Sequence, residues 1–300
     1  MGRPKLAVRV DVDTRRGLRR GAPRLLEIFE RRGVRATFFV AFGPDRWGRA
    51  ILRAPFERGF LAKLWRTRGL ADYGLGTLLN GTLRPGPLTG AGEPGLLREM
   101  AAAGHEVAPH GWDHLAWQMQ IDRRAPEWLR GQFERACGAY ADIFGSRPAG
   151  WASPSWRCNA ASLELVDEAG LAYSADTRGA APFLARCGGR QFRTLQIPAT
   201  LPVPEEVVGF GGVTGSNYAD LVISRLAPES LNVYTAHTEV EGGPLAERFE
   251  ALLARLLAQG VEFLRHDQAA KALEGRALPV CAIERRPLPG RTLPVSCQAV

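Results

Sequence analysis

Nothing in this 300-residue chain has the length or apolarity of a membrane-crossing segment. Its start, Met1-Gly-Arg-Pro-Lys-Leu-Ala-Val-Arg-Val-Asp11, meets charge before any apolar signal core forms. Neither a secretion signal nor an integral membrane anchor is therefore expected. Cysteine is sparse: Cys137, Cys158, Cys187, Cys281 and Cys297 are odd in number and scattered, with no pair at zinc-knuckle or redox spacing. Reduced thiols of a cytosolic chain are expected. Low-complexity blocks and internal repeats are missing too, and 45% hydrophobic content excludes a disordered chain. Histidine is scarce, at five, which gives weight to where each one falls.

Charge is uneven. Residues 1–90 carry 19 Lys+Arg against 7 Asp+Glu, a net of +12, while the other 210 carry 20 against 24, a net of −4. A basic first third suits an anionic partner such as nucleic acid, an acidic membrane surface or a phosphorylated substrate. A solvated Arg-rich face would give the same numbers.

Short apolar, β-branched runs alternate with helical patterns. Residues 6–10, 34–42, 105–110, 171–175, 195–199, 233–236 and 261–264 read as strands. Residues 23–32, 93–103, 128–143, 159–168 and 245–258 read as helices, with Gly104, Gly170 and Gly260 where C-terminal caps belong. Such alternation predicts an α/β fold of parallel strands with helices outside, and a single barrel-like domain over residues 1–275 is favoured. Asp11, Asp13, His110, Ser153, Asp176 and His237 all fall at C-terminal strand ends, where a barrel builds its active site. Residues 44–90 stand outside the alternation as an insertion. Residues 276–300, with Pro279, Pro287, Pro289 and Pro294 and no periodicity, read as an irregular tail.

Asp11 and Asp13 lie two apart at a strand end, so both side chains face one way, and two such carboxylates repel unless a cation or proton intervenes. An acidic pair capping a turn would look the same. His110-Gly-Trp-Asp-His114 sets two imidazoles four apart, chelating spacing on a helical turn. With Asp13 they make a two-histidine, one-carboxylate metal site with open positions for a water and a substrate carbonyl. His237 ends another strand. It can protonate a leaving amine near neutral pH, although a hydrogen-bonded core histidine would leave the same trace. Arg157, in Ser153-Pro-Ser-Trp-Arg157, and Asp176, in Ser174-Ala-Asp-Thr-Arg-Gly179, follow predicted strands. An arginine beside a carboxylate can keep it ionised and oriented, as a structural salt bridge also would.

In this order the residues resemble the polysaccharide deacetylase superfamily, which shares the NodB homology domain. Its members have a distorted (β/α) barrel and hydrolyse N-acyl groups on sugars with a divalent metal. Further strings are similar to the branch of deformylases acting on 4-deoxy-4-formamido-L-arabinose-phosphoundecaprenol. They are Arg9-Val-Asp-Val-Asp-Thr14 with Arg16-Gly17, Gly43-Pro-Asp45, His105-Glu-Val, Trp112-Asp-His114 with Ala116-Trp-Gln118, Arg178-Gly179, Gln196-Ile-Pro198 with Thr200-Leu-Pro202, and Glu239-Val-Glu-Gly242. The resemblance implies Asp11 as general base, Asp13, His110 and His114 as metal ligands, and His237 as general acid. It implies that Arg157 and Asp176 orient the catalytic groups. Val12 separates an acidic pair that is commonly adjacent in the superfamily, which leaves open which aspartate is base and which is ligand. Zinc, cobalt, nickel and manganese all suit such ligands. The implied reaction frees the 4-amino sugar lipid and formate, for lipid A modification and resistance to cationic peptides such as polymyxin.

The insertion then gains a meaning. Residues 44–90 hold 8 Lys+Arg against 3 Asp+Glu, interleaved with Trp47, Ile51, Leu52, Phe56, Phe60, Leu61, Leu64, Trp65 and Leu70. That pattern suits a segment lying in an anionic membrane surface, where a polyprenyl-phosphate-linked sugar resides. Peripheral attachment to the cytoplasmic face of the bacterial inner membrane is the expectation; a lid or an oligomerisation element is the alternative. Two other functions compete. A deacetylase of a soluble or cell-wall glycan fits poorly with a basic, apolar insertion and no signal segment, and a catalytically silent glycan-binding module would have lost one of the five catalytic positions. Nucleic-acid binding is not expected, because no motif for it is present.

Overall fold

The computed structural model describes residues 3–51 and 79–299. Its first sheet is built around Lys5–Val12 (β1), a strand buried on both faces after its first residue, as a parallel strand covered by helices must be. β1 pairs in parallel with Thr37–Val40 (β2), which in turn pairs with Glu106–Pro109 (β3). The second sheet contains Gly150–Trp151 (β4), Tyr173–Ser174 (β5), Phe183–Cys187 (β6) and Arg190–Gln196 (β7). On its other edge β1 pairs with Leu231–His237 (β8), while on the β2 edge its first three residues pair with Glu262–Leu264 (β9). A few backbone bonds join the sheets. Ala152 N donates to Pro109 O at 3.0 Å, and Leu201 N donates to Val233 O at 3.0 Å. The ring β8–β1–β2–β3–β4–β5–β7 is thereby closed into a distorted barrel, as expected.

Five helices fall where the periodicity predicts them: Ala22–Arg32 (α1), Pro94–Ala102, Pro126–Phe144, Ala160–Glu168 and Ala246–Ala258. Gly104, Gly170 and Gly260 follow three of these with φ of +84°, +65° and +74°, the left-handed turn that ends a helix. The main apolar core lies between sheet and helices, with Leu25, Ile28 and Phe29 of α1 against Val8, Val10 and Phe38. The barrel interior differs. Ala7, Ala108, Ala152, Ala175 and Ala199 line it, and these small side chains leave room for the wholly buried Arg9.

The tail departs from expectation. Val280–Arg286 (β10) and Val295–Gln298 (β11) form an antiparallel hairpin, and β10 extends the second sheet by pairing in parallel with β6. Pro279 precedes β10, and Pro287, Pro289 and Pro294 sit in the connection, where a missing N–H costs the ladder nothing. The prolines that make residues 276–300 read as irregular thus mark a hairpin's boundaries.

Of the insertion, only the two ends are described. Trp47 packs with Ala50 and Leu115, whereas Leu52, Phe56, Phe60, Leu61, Leu64, Trp65 and Leu70 lie outside the described residues. Among the described residues no helix is long and apolar enough to cross a membrane.

Candidate active site and metal centre

Strand alternation sends Arg9, Asp11 and Asp13 to one face, and all three are buried. Register places Asp11 beside Phe39 of β2 and beside His237 of β8. His110 follows β3. The two histidines do not share a helical turn, contrary to the expectation from their spacing. Gly111, at φ +80°, turns the chain, Asp113 caps the next helix, and His114 is the first residue of His114–Gln120. Strand end and helix start converge on Asp13.

One ligand atom each from Asp13, His110 and His114 lies within 4.8 Å of the other two. Asp13 Oδ1 stands 3.4 Å from His114 Nε2 and 3.7 Å from His110 Nε2. Asp13 Oδ1 and His110 Nε2 are buried with no hydrogen-bond partner among the described residues. Buried polar atoms are rarely left so, and two of them converging with His114 Nε2 is what a cation site looks like without its ion. His110 Nδ1 lies 2.9 Å from Ala152 O, a contact that requires its proton on Nδ1 and leaves the Nε2 lone pair facing Asp13. Burial pushes His110 and His114 down to about 4, so both imidazoles are neutral near pH 7, the state a metal needs. Burial also raises Asp13 above its ordinary value. The residues present fit a divalent metal.

Asp11 is held differently. Arg9 Nε donates to Oδ1 at 2.6 Å and Nη2 donates to Oδ2 at 2.9 Å, a two-pronged grip, while Nη1 donates to Ala175 O at 2.6 Å. Burial would raise the Asp11 carboxyl, but the guanidinium together with the neighbouring histidines outweighs it and holds the group well below the usual carboxylate range. At His237 the balance runs the other way. Burial alone would strip its proton, yet Glu205, Asp11, Asp13 and Glu241 outweigh burial and push it up to about 9. The backbone N–H of His237 donates to Glu241 Oε2 at 2.7 Å. Beside the Asp13 carboxyl the pocket therefore holds two neutral imidazoles, the ionised Asp11 and the protonated His237, a set able to take a proton on one side and give one on the other.

Arg157 and Asp176 are buried nearby, but no hydrogen bond joins either to Asp11 or His237 among the described residues. Arg157 pairs with Asp122 and donates to Pro294 O at 2.8 Å. Asp176 accepts from Ser153 N at 2.7 Å and Gln196 Nε2 at 3.3 Å, tying the 153–157 turn to the second sheet. The guanidinium on the acidic pair is Arg9, which the reading of the sequence passed over. Its position two before Asp11 is the signal, since period two puts it on the same face. Arg291 was also passed over. Held by Glu205 at 2.9 Å and Glu206 at 3.1 Å, it stacks 4.5 Å from the Trp156 ring, which Arg9 meets at 5.2 Å. Ser155 and Trp156 sit at φ +54° and +49°, a left-handed backbone that costs a non-glycine residue about 1 kcal/mol or more and concentrates at functional sites.

The polysaccharide deacetylase family model matches residues 4–174, a span that takes in Asp11, Asp13, His110 and His114. The chain belongs to the polysaccharide deacetylase family. This deacetylase-family chain is 38% identical over 260 residues to a probable 4-deoxy-4-formamido-L-arabinose-phosphoundecaprenol deformylase ArnD of Shewanella sediminis (strain HAW-EB3), covering 87% of this chain and 84% of that one. A protein of the same name from Wigglesworthia glossinidia brevipalpis is 31% identical over 278 residues, covering 92% and 96%. Among solved structures, a Mycobacterium smegmatis protein carrying a provisional polysaccharide deacetylase name superposes with a TM-score of 0.65 at 20% identity, covering 96% of each chain. A probable polysaccharide deacetylase of Pseudomonas aeruginosa PAO1 gives 0.59 at 18%, covering 92% of each. At these identities the solved structures establish the fold of this deacetylase-family chain, and no more.

Proposed function

We propose that this chain hydrolyses the formamide of 4-deoxy-4-formamido-L-arabinose-phosphoundecaprenol, releasing formate and the 4-amino sugar lipid. The observation that carries the reading is the convergence of Asp13, His110 and His114 beside an ionised Asp11 and a protonated His237, in a chain 38% identical to a probable deformylase of that lipid. Asp13, His110 and His114 would hold a divalent metal. When bound, such an ion lowers the pKa of a water and polarises the amide carbonyl. Asp11, fixed by Arg9, takes the proton from the attacking water. The water oxygen joins the formyl carbon and the carbon–nitrogen bond breaks. His237 then protonates the leaving nitrogen.

Asp11→Asn and His237→Ala should each retain metal yet lose about 10²- to 10⁴-fold in turnover, the usual contribution of a general base or acid. Wild-type activity should fall as pH rises past about 9, where His237 loses its proton. Formate release from the formamido-arabinose lipid phosphate and acetate release from its acetamido counterpart, with and without a chelator, test both the reaction and the acyl group. No formate from the formamido substrate would refute the assignment.

The enzyme would work as a peripheral protein at the cytoplasmic face of the inner membrane. Support comes from the described end of the insertion, where Leu79, Leu83 and Leu88 are exposed, Leu83 by 86%, in a basic segment of net charge +5. Binding to anionic liposomes should weaken with salt, since each basic contact contributes on the order of 1 kcal/mol and is screened. Serine at Leu79, Leu83 and Leu88 should release the protein and depress turnover of the lipid-linked substrate well beyond that of a short soluble analogue. Equal losses on both would point to a lid instead.

A further inference from the structure

The insertion is rooted between the two segments that carry Asp13 and His114. Asp113, the residue before His114, uses both oxygens of its carboxylate. Oδ1 accepts Ala116 N at 2.9 Å, capping the helix that His114 begins, and Oδ2 accepts Arg46 Nη1 at 2.6 Å. A cap fixes the first helical residue in place and direction. Arg46 belongs to the insertion's first turn, not to the barrel.

On the other side stands Asp45, which is 2% exposed. Its carboxylate accepts Arg15 N at 3.2 Å, two residues beyond Asp13, along with Trp47 N at 3.2 Å and Asn80 Nδ2 at 3.1 Å. One side chain thus ties the insertion's outgoing and returning strands to the loop that leaves β1. The backbone fit is close as well. Asp45 N donates to Pro87 O at 2.8 Å, Gly43 N donates to Trp112 O at 2.8 Å, and a Cβ on Gly86 would fall 2.0 Å from Asp45 O.

We infer that Asp45 and Arg46 are positioning residues of the metal site, holding the Asp13 loop and the His114 helix at ligating separation from the neck of the insertion. The inference rests on Asp13, His110 and His114 being the metal ligands. Groups that support metal ligands from behind are commonly worth 10- to 100-fold in affinity. The Arg46–Asp113 pair is half-exposed, the arginine 38% and the carboxylate 4% accessible. Asp113 keeps its bond from Ala116 N when Arg46 is lost, so the pair adds modestly to the stability of the fold. Affinity for the metal and stability without it should therefore respond differently to loss of Arg46.

The experiment is a zinc titration of the full chain in competition with a chromophoric chelator, paired with thermal unfolding of the metal-free protein. Arg46→Ala and Asp45→Asn should each weaken zinc binding about 10- to 100-fold, and Arg46→Lys should recover part of the loss. Arg130→Ala, which removes a partly exposed arginine paired with Glu168 at 2.8 Å, should leave affinity unchanged. The metal-free Tm of Arg46→Ala should fall only modestly, far less than the loss of affinity would imply. Wild-type affinity in both Arg46→Ala and Asp45→Asn would overturn the inference, as would an affinity loss matched by an equally large fall in metal-free Tm. A wild-type protein that binds no zinc would overturn the ligand assignment itself, a separate failure visible before any variant is made.

Discussion

His114→Ala is expected to lose most of its metal and all measurable hydrolysis while keeping its fold. Its Nε2 is one of three ligand atoms and lies 3.4 Å from Asp13 Oδ1. Without it only Asp13 and His110 remain, too few for the three protein ligands of a catalytic site. The fold should survive because His114 has no share in the main apolar core and its helix keeps the Asp113 cap. Metal content by elemental analysis, formate release and far-UV circular dichroism measured on one preparation decide the matter. Full occupancy in the variant would end the assignment of His114 as a ligand.

Arg9→Ala should be the most destabilising single change near the site. The guanidinium is wholly buried and makes three hydrogen bonds, two of them to Asp11. Removing it strands a buried carboxylate, which costs about 3–5 kcal/mol when one partner of a buried pair is lost. The pH dependence has a definite sign. In the wild type Asp11 is held below its unfolded value, so its contribution is present above the ordinary carboxyl range and fades as pH falls through the folded value. In the variant burial is opposed only by the neighbouring histidines, and the Asp11 carboxyl should rise from its wild-type position. The penalty is then full at neutral pH and relieved as acid protonates the group. Urea unfolding should show the gap between the two proteins narrowing from pH 7 toward pH 4; a constant gap would count against the pairing. Lysine at position 9 should not restore activity, because a single ammonium cannot reproduce the two-pronged grip on Asp11.

Much of this architecture was legible because its signals are local. Strand 6–10, helix 23–32 and the glycines at 104, 170 and 260 each declare themselves within a few residues. Asp11, Asp13, His110, His114 and His237 were legible for a different reason: chemistry restricts which side chains can stand at barrel strand ends. What stayed hidden was pairing over distance. Arg157 and Asp176 read as orienting groups, but a sequence cannot say which partner an arginine meets, and Arg157 meets Asp122. The β10–β11 hairpin was masked by prolines whose strand-boundary role appears only once the ladder is known. Arg291 was hidden within that same tail.

The place of β1 at the centre of the first sheet bears on how the protein comes to be folded at all. The strand carrying Arg9 and Asp11, with Asp13 just past its end, is made long before two of its partners, β8 at Leu231–His237 and β9 at Glu262–Leu264. Pairings so distant in sequence close slowly, because the entropy of a long loop must be overcome before any contact rewards it. Until residue 237 has been made, β1 has at most β2 to pair with and a full edge open to other chains. Asp11 within it and Asp13 just beyond keep that waiting edge from being a bare apolar ribbon, since charge in a strand discourages edge-to-edge association. Neutralising both aspartates would thus remove a safeguard of the nascent chain along with the chemistry of the finished enzyme.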